Sequence, residues 1–557
     1  MSGERGRNGK KNPMRSASSA NIRFMGGRLR HEIFLMDFSE LSRRISPLFR
    51  VVLIVAALAI AAGLLNLLTK KAEYLPPFLE ITLSALGGVW IWTQSKPKGL
   101  PFLPMVFLQH AVVYGLPLAV LNATLDVPSG DTISTAGAVT GFFLLCCLGG
   151  WSVGRKMGSA RPSRGNLLFA QGGDMRSRCF SLALVMLAAS VTFQLCSRTG
   201  LIFSLLPGGL FGLYSVLRTF SDAASMLGAL LGGLVIGELP RIRRGWIYWV
   251  LLAVSFFLSA ADLLVSGASI VVLSAAIGLA FGKRGIPWLF LLVALAMVGF
   301  LNQGKFVMRE RYWGPDAEGT NVSLTQLPAL YAEWVSASAG YLFGSAYQNA
   351  ASNPGEDEGQ SIFDRVDSLQ NLTYVIDALN NSHIPVLEGA TYAVIPPLFI
   401  PRFLWPDKPR THEGQIMLNL RFGRQASIEA TETTYVAWGF LPEAIGNFGI
   451  WPGTVLLGLV IGWILGWLEK ISLHKRLFSI EGAVLCVLLM LVTVSYEMVA
   501  SVFLTATFQL LIAVVVGGAI MRMWFGRGGH HSPRIDMAIS RETLSGATGT
   551  QRKNATH

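Results

Sequence analysis

Twelve apolar runs, separated mostly by short polar interruptions, set the pattern of this 557-residue chain. They cover 50–69, 78–94, 101–121, 135–154, 179–197, 219–237, 246–263, 267–282, 286–302, 445–468, 480–497 and 499–521. The hydrocarbon core of a bilayer is about 30 Å thick and takes roughly 20 apolar residues of helix, so each run predicts a transmembrane helix. Runs 246–263 and 267–282 almost touch and predict a tight hairpin. Stretch 201–217 is apolar but broken by Pro207, Gly208 and Gly209, and it reads as a re-entrant or interfacial segment. Between the ninth and tenth runs lies one long polar segment, 303–444. A structureless connection of that length is uncommon, and this one has helical spacing of its own. Ile362, Phe363, Val366, Leu369, Leu372, Val375, Ile376 and Leu379 recur at three- and four-residue steps. Ser361 and Asp364 stand before them like a capping box. Leu330, Tyr331, Trp334 and Val335 mark a second amphipathic helix over 327–342. Both helices are expected to lie over the outer membrane surface and roof a cavity.

The expected fold is therefore an all-α polytopic integral membrane protein with about 12 transmembrane helices and one large, partly helical external loop. Its parts are a basic tail 1–49, helices over 50–302, the loop 303–444, helices over 445–521 and a basic tail 522–557. Composition agrees: 52% of residues are hydrophobic and 14% charged, against roughly 25% charged in an ordinary soluble domain. This excludes a soluble enzyme, a disordered regulator and a coiled coil. The net charge of +13 does not point to nucleic acid, because of where it sits. Residues 1–50 hold 11 bases and 4 acids and residues 522–557 hold 6 and 2, so the tails supply +11 of it. An even number of spans puts both tails on one face. Starting inside, the cytoplasmic loops carry 16 Lys and Arg and the short outer loops carry 4, Lys70, Lys71, Arg198 and Arg218. That contrast is the positive-inside rule. The five cysteines lie in or at the ends of apolar runs, form no metal-ligand spacing, and read as small packing residues. About fifty polar, basic residues precede the first run, too many for the n-region of a cleavable signal peptide.

The chemistry concentrates in the long loop. It holds 16 acids and 9 bases, yet Arg402, Lys408, Arg410, Arg421 and Arg424, with His412, gather against only Asp407 and Glu413. Arg309 and Arg311 form a second basic pair directly after run 286–302. Guanidinium forks match phosphate oxygens in bidentate geometry and keep their charge, so such patches beside a membrane suit a phosphate or diphosphate. The alternative is that these cations pair with the loop's carboxylates and fold it. Segment 391–400 is apolar but interrupted by Pro396 and Pro397, so it is no regular span. It leads into Pro401-Arg402-Phe403-Leu404-Trp405-Pro406-Asp407-Lys408-Pro409, a rigid loop with an interfacial tryptophan. Further on, Glu443 and Asn447 stand four apart, on one helical face at the head of run 445–468.

Gly389-Ala390-Thr391-Tyr392, the apolar run after it, Ile400-Pro401-Arg402-Phe403-Leu404-Trp405-Pro406-Asp407-Lys408-Pro409, and then Glu443-Ala444-Ile445-Gly446-Asn447-Phe448-Gly449 resemble the O-antigen polymerase (Wzy) or oligosaccharide repeat-unit polymerase family. The resemblance covers roughly 388–468; elsewhere only the layout of spans and late loop supports it. It implies a membrane glycosyltransferase that polymerises lipid-linked oligosaccharide units at the outer leaflet of a bacterial inner membrane. The donor would be an undecaprenyl-diphosphate-linked oligosaccharide. No cofactor or metal is implied, and a chain-length regulator and a flippase are the protein partners such a system uses. Arg402 and Lys408 would stabilise the departing diphosphate, with Arg309, Arg311, Arg410, Arg421 and Arg424 as further candidates. Glu443 would be the general base, since it stands where the family motif has its acid, and His412 the second choice. A lipid-linked glycan ligase, a polysaccharide flippase or transporter, and a non-enzymatic assembly scaffold are the competing readings. Three ionisable residues lie in or near spans: His110, expected in an interhelical hydrogen bond, and Asp262 and Glu497, expected to cap hairpins.

Overall fold

The computed structural model describes residues 37–159, 175–205, 211–263, 265–283, 285–313, 323–343, 367–400, 404–405, 407–428, 431, 438–477, 479–494 and 498–525. Among these the regular elements are all helices, and an isolated bridge pairs Asp37 with Arg476. Eight helices are long and apolar enough to cross a membrane, and four shorter apolar helices, Gly245–Ala260, Gly267–Lys283, Trp288–Gln303 and Ile480–Thr493, accompany them. Each of the twelve apolar runs has most of its described length in one of these helices. By helix length and hydropathy this is a multi-pass membrane protein. Its outward side chains agree: Leu58, Leu65, Val185, Leu289 and Leu295 are all more than 60% exposed, a cost in water and none in lipid.

Several boundaries differ from expectation for physical reasons. The first helix runs Phe38–Lys70, well before residue 50, because Asp37 caps it by accepting from the Glu40 amide at 2.9 Å. Residues 211–217 form the first two turns of the long helix Phe211–Glu238, and Leu201–Leu205 is a separate short helix; Pro207, Gly208 and Gly209 lie outside the described residues. The run at 445 is broken. Gly439 and Gly449 have φ of +85° and +88°, a region L-residues avoid, and they isolate the short helix Phe440–Phe448 from the span Ile450–Ser472.

The spans are held by close backbone approach. Without water, helix association in a bilayer rests on packing, and small residues let backbones meet. Gly150 and Gly154 of Gly130–Met157 lie against the backbone of Leu459 and Trp463, and Gly458, Gly462 and Gly466 of Ile450–Ser472 lie against Phe143, Cys147 and Trp151. A Cβ at Gly462 would overlap the Cys147 carbonyl. All five cysteines are free and three are buried, Cys147 within this seam.

The long loop contributes to two separate hydrophobic clusters. Lys305–Trp313 and Leu327–Phe343 pack with Phe256, Leu301 and Met308, and buried Trp334 donates from Nε1 to the Leu301 carbonyl at 2.6 Å. Leu369–Asn380, Glu413–Arg421 and Phe440–Phe448 join the main core. Leu369–Asn380 begins later than the apolar spacing suggests. Ser361 and Asp364 fall outside the described residues, and the carboxylate at the helix start is that of Asp367, whose Oδ1 accepts from the Gln370 amide at 3.1 Å. Its Oδ2 accepts from Asn122 Nδ2 at 3.1 Å and Thr124 Oγ1 at 2.5 Å, which ties this helix to the turn ahead of Gly130–Met157.

His110 is buried; its Nδ1 pairs with the Val106 carbonyl of its own helix at 2.8 Å. Its ring also stacks on Phe143 of the neighbouring helix, with centroids 5.0 Å apart. Asp262 forms an ion pair with Arg198, whose guanidinium also donates to the Leu258 carbonyl, so the pair closes the end of Gly245–Ala260. Glu497 lies outside the described residues.

Candidate functional site

Four short pieces of chain meet at the start of the last span, Ala500–Phe525. Ala390–Ala393 packs on Glu413–Arg421, on Phe440–Phe448 and on that span, and Ile395–Leu398 packs on the span as well. The left-handed turn at Gly389 starts Ala390–Ala393, and the Leu387 amide bonds the Gly446 carbonyl at 2.9 Å. Two strained-turn glycines frame Phe440–Phe448 on the other side. These turns let one short helix present its inner face to three neighbours.

At the centre is Glu443, with no exposed surface. Its Oε1 accepts from Thr391 Oγ1 at 2.8 Å and its Oε2 from the Ala500 amide at 2.6 Å. Asn447, one turn on, donates from Nδ2 to Thr391 Oγ1 at 2.9 Å and to the Glu443 carbonyl at 2.7 Å. Because the Asn447 amide donates into the Thr391 hydroxyl, the hydroxyl's own proton is left to point at Glu443. The Ala500 amide is one of the otherwise unsatisfied donors at the start of a helix, where negative charge is favoured. Donors thus surround the carboxyl, yet burial, with no facing cation among the described residues, outweighs them and pushes its pKa up to about 7. Tyr392 stacks on Phe448 with centroids 5.6 Å apart, and burial followed by the Glu443 charge raises its phenol above the ordinary range.

The structure divides the cations. Lys408 donates from Nζ to the Leu398 and Ile400 carbonyls at 2.8 and 2.6 Å, closing the proline-rich loop on itself. The loop is fastened to the last span by Ser501 Oγ donating to the Thr411 carbonyl at 2.9 Å and by Phe399 against Phe508. Arg421 is exposed and donates to the Pro385 and Val386 carbonyls at 2.9 and 3.3 Å. Arg410 is exposed. Arg424 lies over the rings of Tyr374 and Trp438, 5.5 and 5.8 Å from their centroids, and donates to Asn371 and Gln370. Burial lowers its pKa from the ordinary value. It is a brace between Leu369–Asn380 and the loop. His412 pairs through Nδ1 with Gln415 Oε1 at 3.3 Å. Arg402 falls outside the described residues.

Arg309 and Arg311 belong to the other cluster. Arg309 donates to the Leu263 carbonyl at 3.1 Å, and Arg311, 68% exposed, is 3.5 Å from Glu333. Sequence reasoning found Glu443 and Asn447 but missed their long-range partners. Thr391 stood in the quoted Gly-Ala-Thr-Tyr string with nothing to single it out, and a backbone amide 57 residues beyond Glu443 leaves no mark in composition. Compared with family models, with curated proteins and with solved structures, the chain gives no match.

Proposed function

We propose that this protein is a membrane glycosyltransferase that polymerises oligosaccharide repeat units carried on undecaprenyl diphosphate, at the outer leaflet of a bacterial inner membrane. In this reading all twelve apolar helices cross the bilayer and both termini are cytoplasmic. The observation that carries it is the gathering, at one end of the bundle, of the buried acid Glu443 with the loop that bears Lys408, Arg410 and Arg421. The acceptor sugar hydroxyl attacks the anomeric carbon of the donor. Its proton passes to Glu443, a new glycosidic C–O bond forms, and the sugar–phosphate C–O bond breaks with its electron pair leaving on the diphosphate. Arg402, Lys408, Arg410 and Arg421 stabilise the charge that grows there; a single such donor commonly contributes about 10²–10³ in rate. Arg424 serves this site as a brace, and Arg309 and Arg311 lie apart from it.

The test is glycan length in a strain lacking the gene. Surface glycan reduced to single repeat units supports polymerisation. An unchanged length ladder sinks the reading, as does loss of all surface glycan with lipid-linked units trapped inside, which is the mark of a flippase.

A further inference from the structure

Glu443, Thr391 and Asn447 are all fully enclosed, so no sugar reaches the carboxylate in this arrangement. The parts that enclose it are few. Phe440–Phe448 carries Glu443, Ala390–Ala393 carries Thr391, and the start of Ala500–Phe525 supplies the amide that Oε2 accepts from. The last of these also carries the basic loop, through Ser501 to Thr411 and Phe508 to Phe399.

A neutral carboxylic acid carries no charge to desolvate in this pocket. Its O–H donates to Thr391 Oγ1, whose own proton then turns away from the carboxyl, and its carbonyl oxygen still accepts from the Ala500 amide. An ionised carboxylate here, with no cation beside it among the described residues, carries a desolvation penalty, and exposure to water relieves it. We propose that Glu443 triggers the opening of this site: protonated, it seals the start of the last span against Phe440–Phe448, and on losing its proton it breaks that seal and is presented as a carboxylate beside the basic loop. This deepens the proposed function by giving it a regulation. The same event that lets substrate in leaves the base in its reactive form.

Other titratable groups on the surrounding elements are Tyr392 on Ala390–Ala393, Glu413 and Arg421 on Glu413–Arg421, and Asp377 on Leu369–Asn380. Glu469, Lys470 and Arg522 sit near the far ends of the two spans, about 30 Å along the helix. Of these the Tyr392 phenol couples to Glu443, and it stays neutral because its own pKa is raised. A carboxyl that titrates near 7 when closed and near 4.5 when exposed weakens closure by roughly 300-fold between a pH well below 4.5 and a pH well above 7.

Amide hydrogen exchange on the full-length protein in lipid nanodiscs, without substrate, tests this. After correction for intrinsic exchange rates, protection over residues 498–504 is expected to fall by up to about 75-fold as pH rises from 5 to 8.5. Glu443→Gln is expected to stay protected throughout, and Thr391→Val, which removes a donor to the carboxylate, to move the midpoint to higher pH. Wild-type protection that does not change with pH overturns the proposal, as does a Glu443→Gln variant that loses protection as wild type does. If Glu443→Gln is not recovered folded, the wild-type profile and the Thr391→Val midpoint decide. Exchange is read without any glycan, so a protein that opens with pH yet fails to extend a lipid-linked oligosaccharide loses the proposed function and keeps this inference.

Discussion

Replacing Glu443 by glutamine is expected to stabilise the protein, and only at neutral and alkaline pH. Burial pushes the folded carboxyl up to about 7 from its ordinary value of 4.5. Between those two pH values the folded chain holds a proton that the unfolded chain has lost, so stability falls as pH rises through this window and the loss is complete above it. Two and a half pH units correspond to about 3 kcal/mol. Glutamine is neutral at every pH and meets its partners as the neutral acid does: its carbonyl oxygen accepts from the Ala500 amide and its NH₂ donates to Thr391 Oγ1, whose own proton turns away. Near pH 4.5 the two proteins are therefore expected to melt within a few degrees of each other, and at pH 8.5 the variant is expected to melt higher. Opening of the site in the wild type relieves part of the strain, so about 3 kcal/mol is the ceiling. Melting followed by intrinsic fluorescence in detergent, at one scan rate and across pH 4.5–8.5, reads the difference. A gap between the two proteins that is constant with pH, or a variant that melts lower at pH 8.5, would refute the argument that burial dominates this carboxyl.

Three other substitutions separate roles within the loop and bundle. Arg424→Ala is expected to destabilise the fold by about 2 kcal/mol, because it removes two ring contacts and hydrogen bonds to Asn371 and Gln370. Arg421→Ala is exposed and bonded only to carbonyls in the described contacts, so it is expected to leave melting within about 1 kcal/mol while shortening the glycan; equal melting losses for the two would merge roles kept apart above. Arg402→Glu is expected to abolish polymer, and full-length glycan from that variant removes Arg402 from the site. Gly462→Leu is expected to prevent accumulation of folded protein in membranes, since its side chain would enter the Cys147 backbone; wild-type levels of a monodisperse variant would show that the two spans are less closely packed than described.

Most of the helical architecture was legible because hydropathy and helix length are local properties. Where a boundary differed, a residue with its own local logic decided it. Asp37 caps a helix thirteen residues before the apolar run begins to dominate, and Gly449 stops a helix in the middle of an uninterrupted apolar stretch. The amphipathic helices over 327–342 and 369–379 showed in three- and four-residue spacing. Their destinations did not, since spacing says that a face is buried and not against what. That is why Arg309 and Arg424 both looked like phosphate ligands: a cluster in sequence measures density of charge, and the partner that occupies a guanidinium is supplied by tertiary contact.

The division among the cations follows from that point and bears on how such a site is built. A guanidinium has five donors, and one that spends its plane on aromatic rings and its edge on amide oxygens, as Arg424 does between Tyr374, Trp438, Asn371 and Gln370, is fixed in place and gives up little to a passing phosphate. One that bonds carbonyls at the surface, as Arg421 does at Pro385 and Val386, exchanges those bonds for a diphosphate at small cost, because water restores the carbonyls. Rigid braces and exchangeable donors therefore need the same residue type in one stretch of chain. The brace holds Leu369–Asn380 and the loop as one body, and the Ala500 amide joins that body to Glu443. In the proposed switch, a change of charge at this enclosed carboxyl reaches the described donors of the loop through the start of the last span, which bonds both Glu443 and the Thr411 carbonyl.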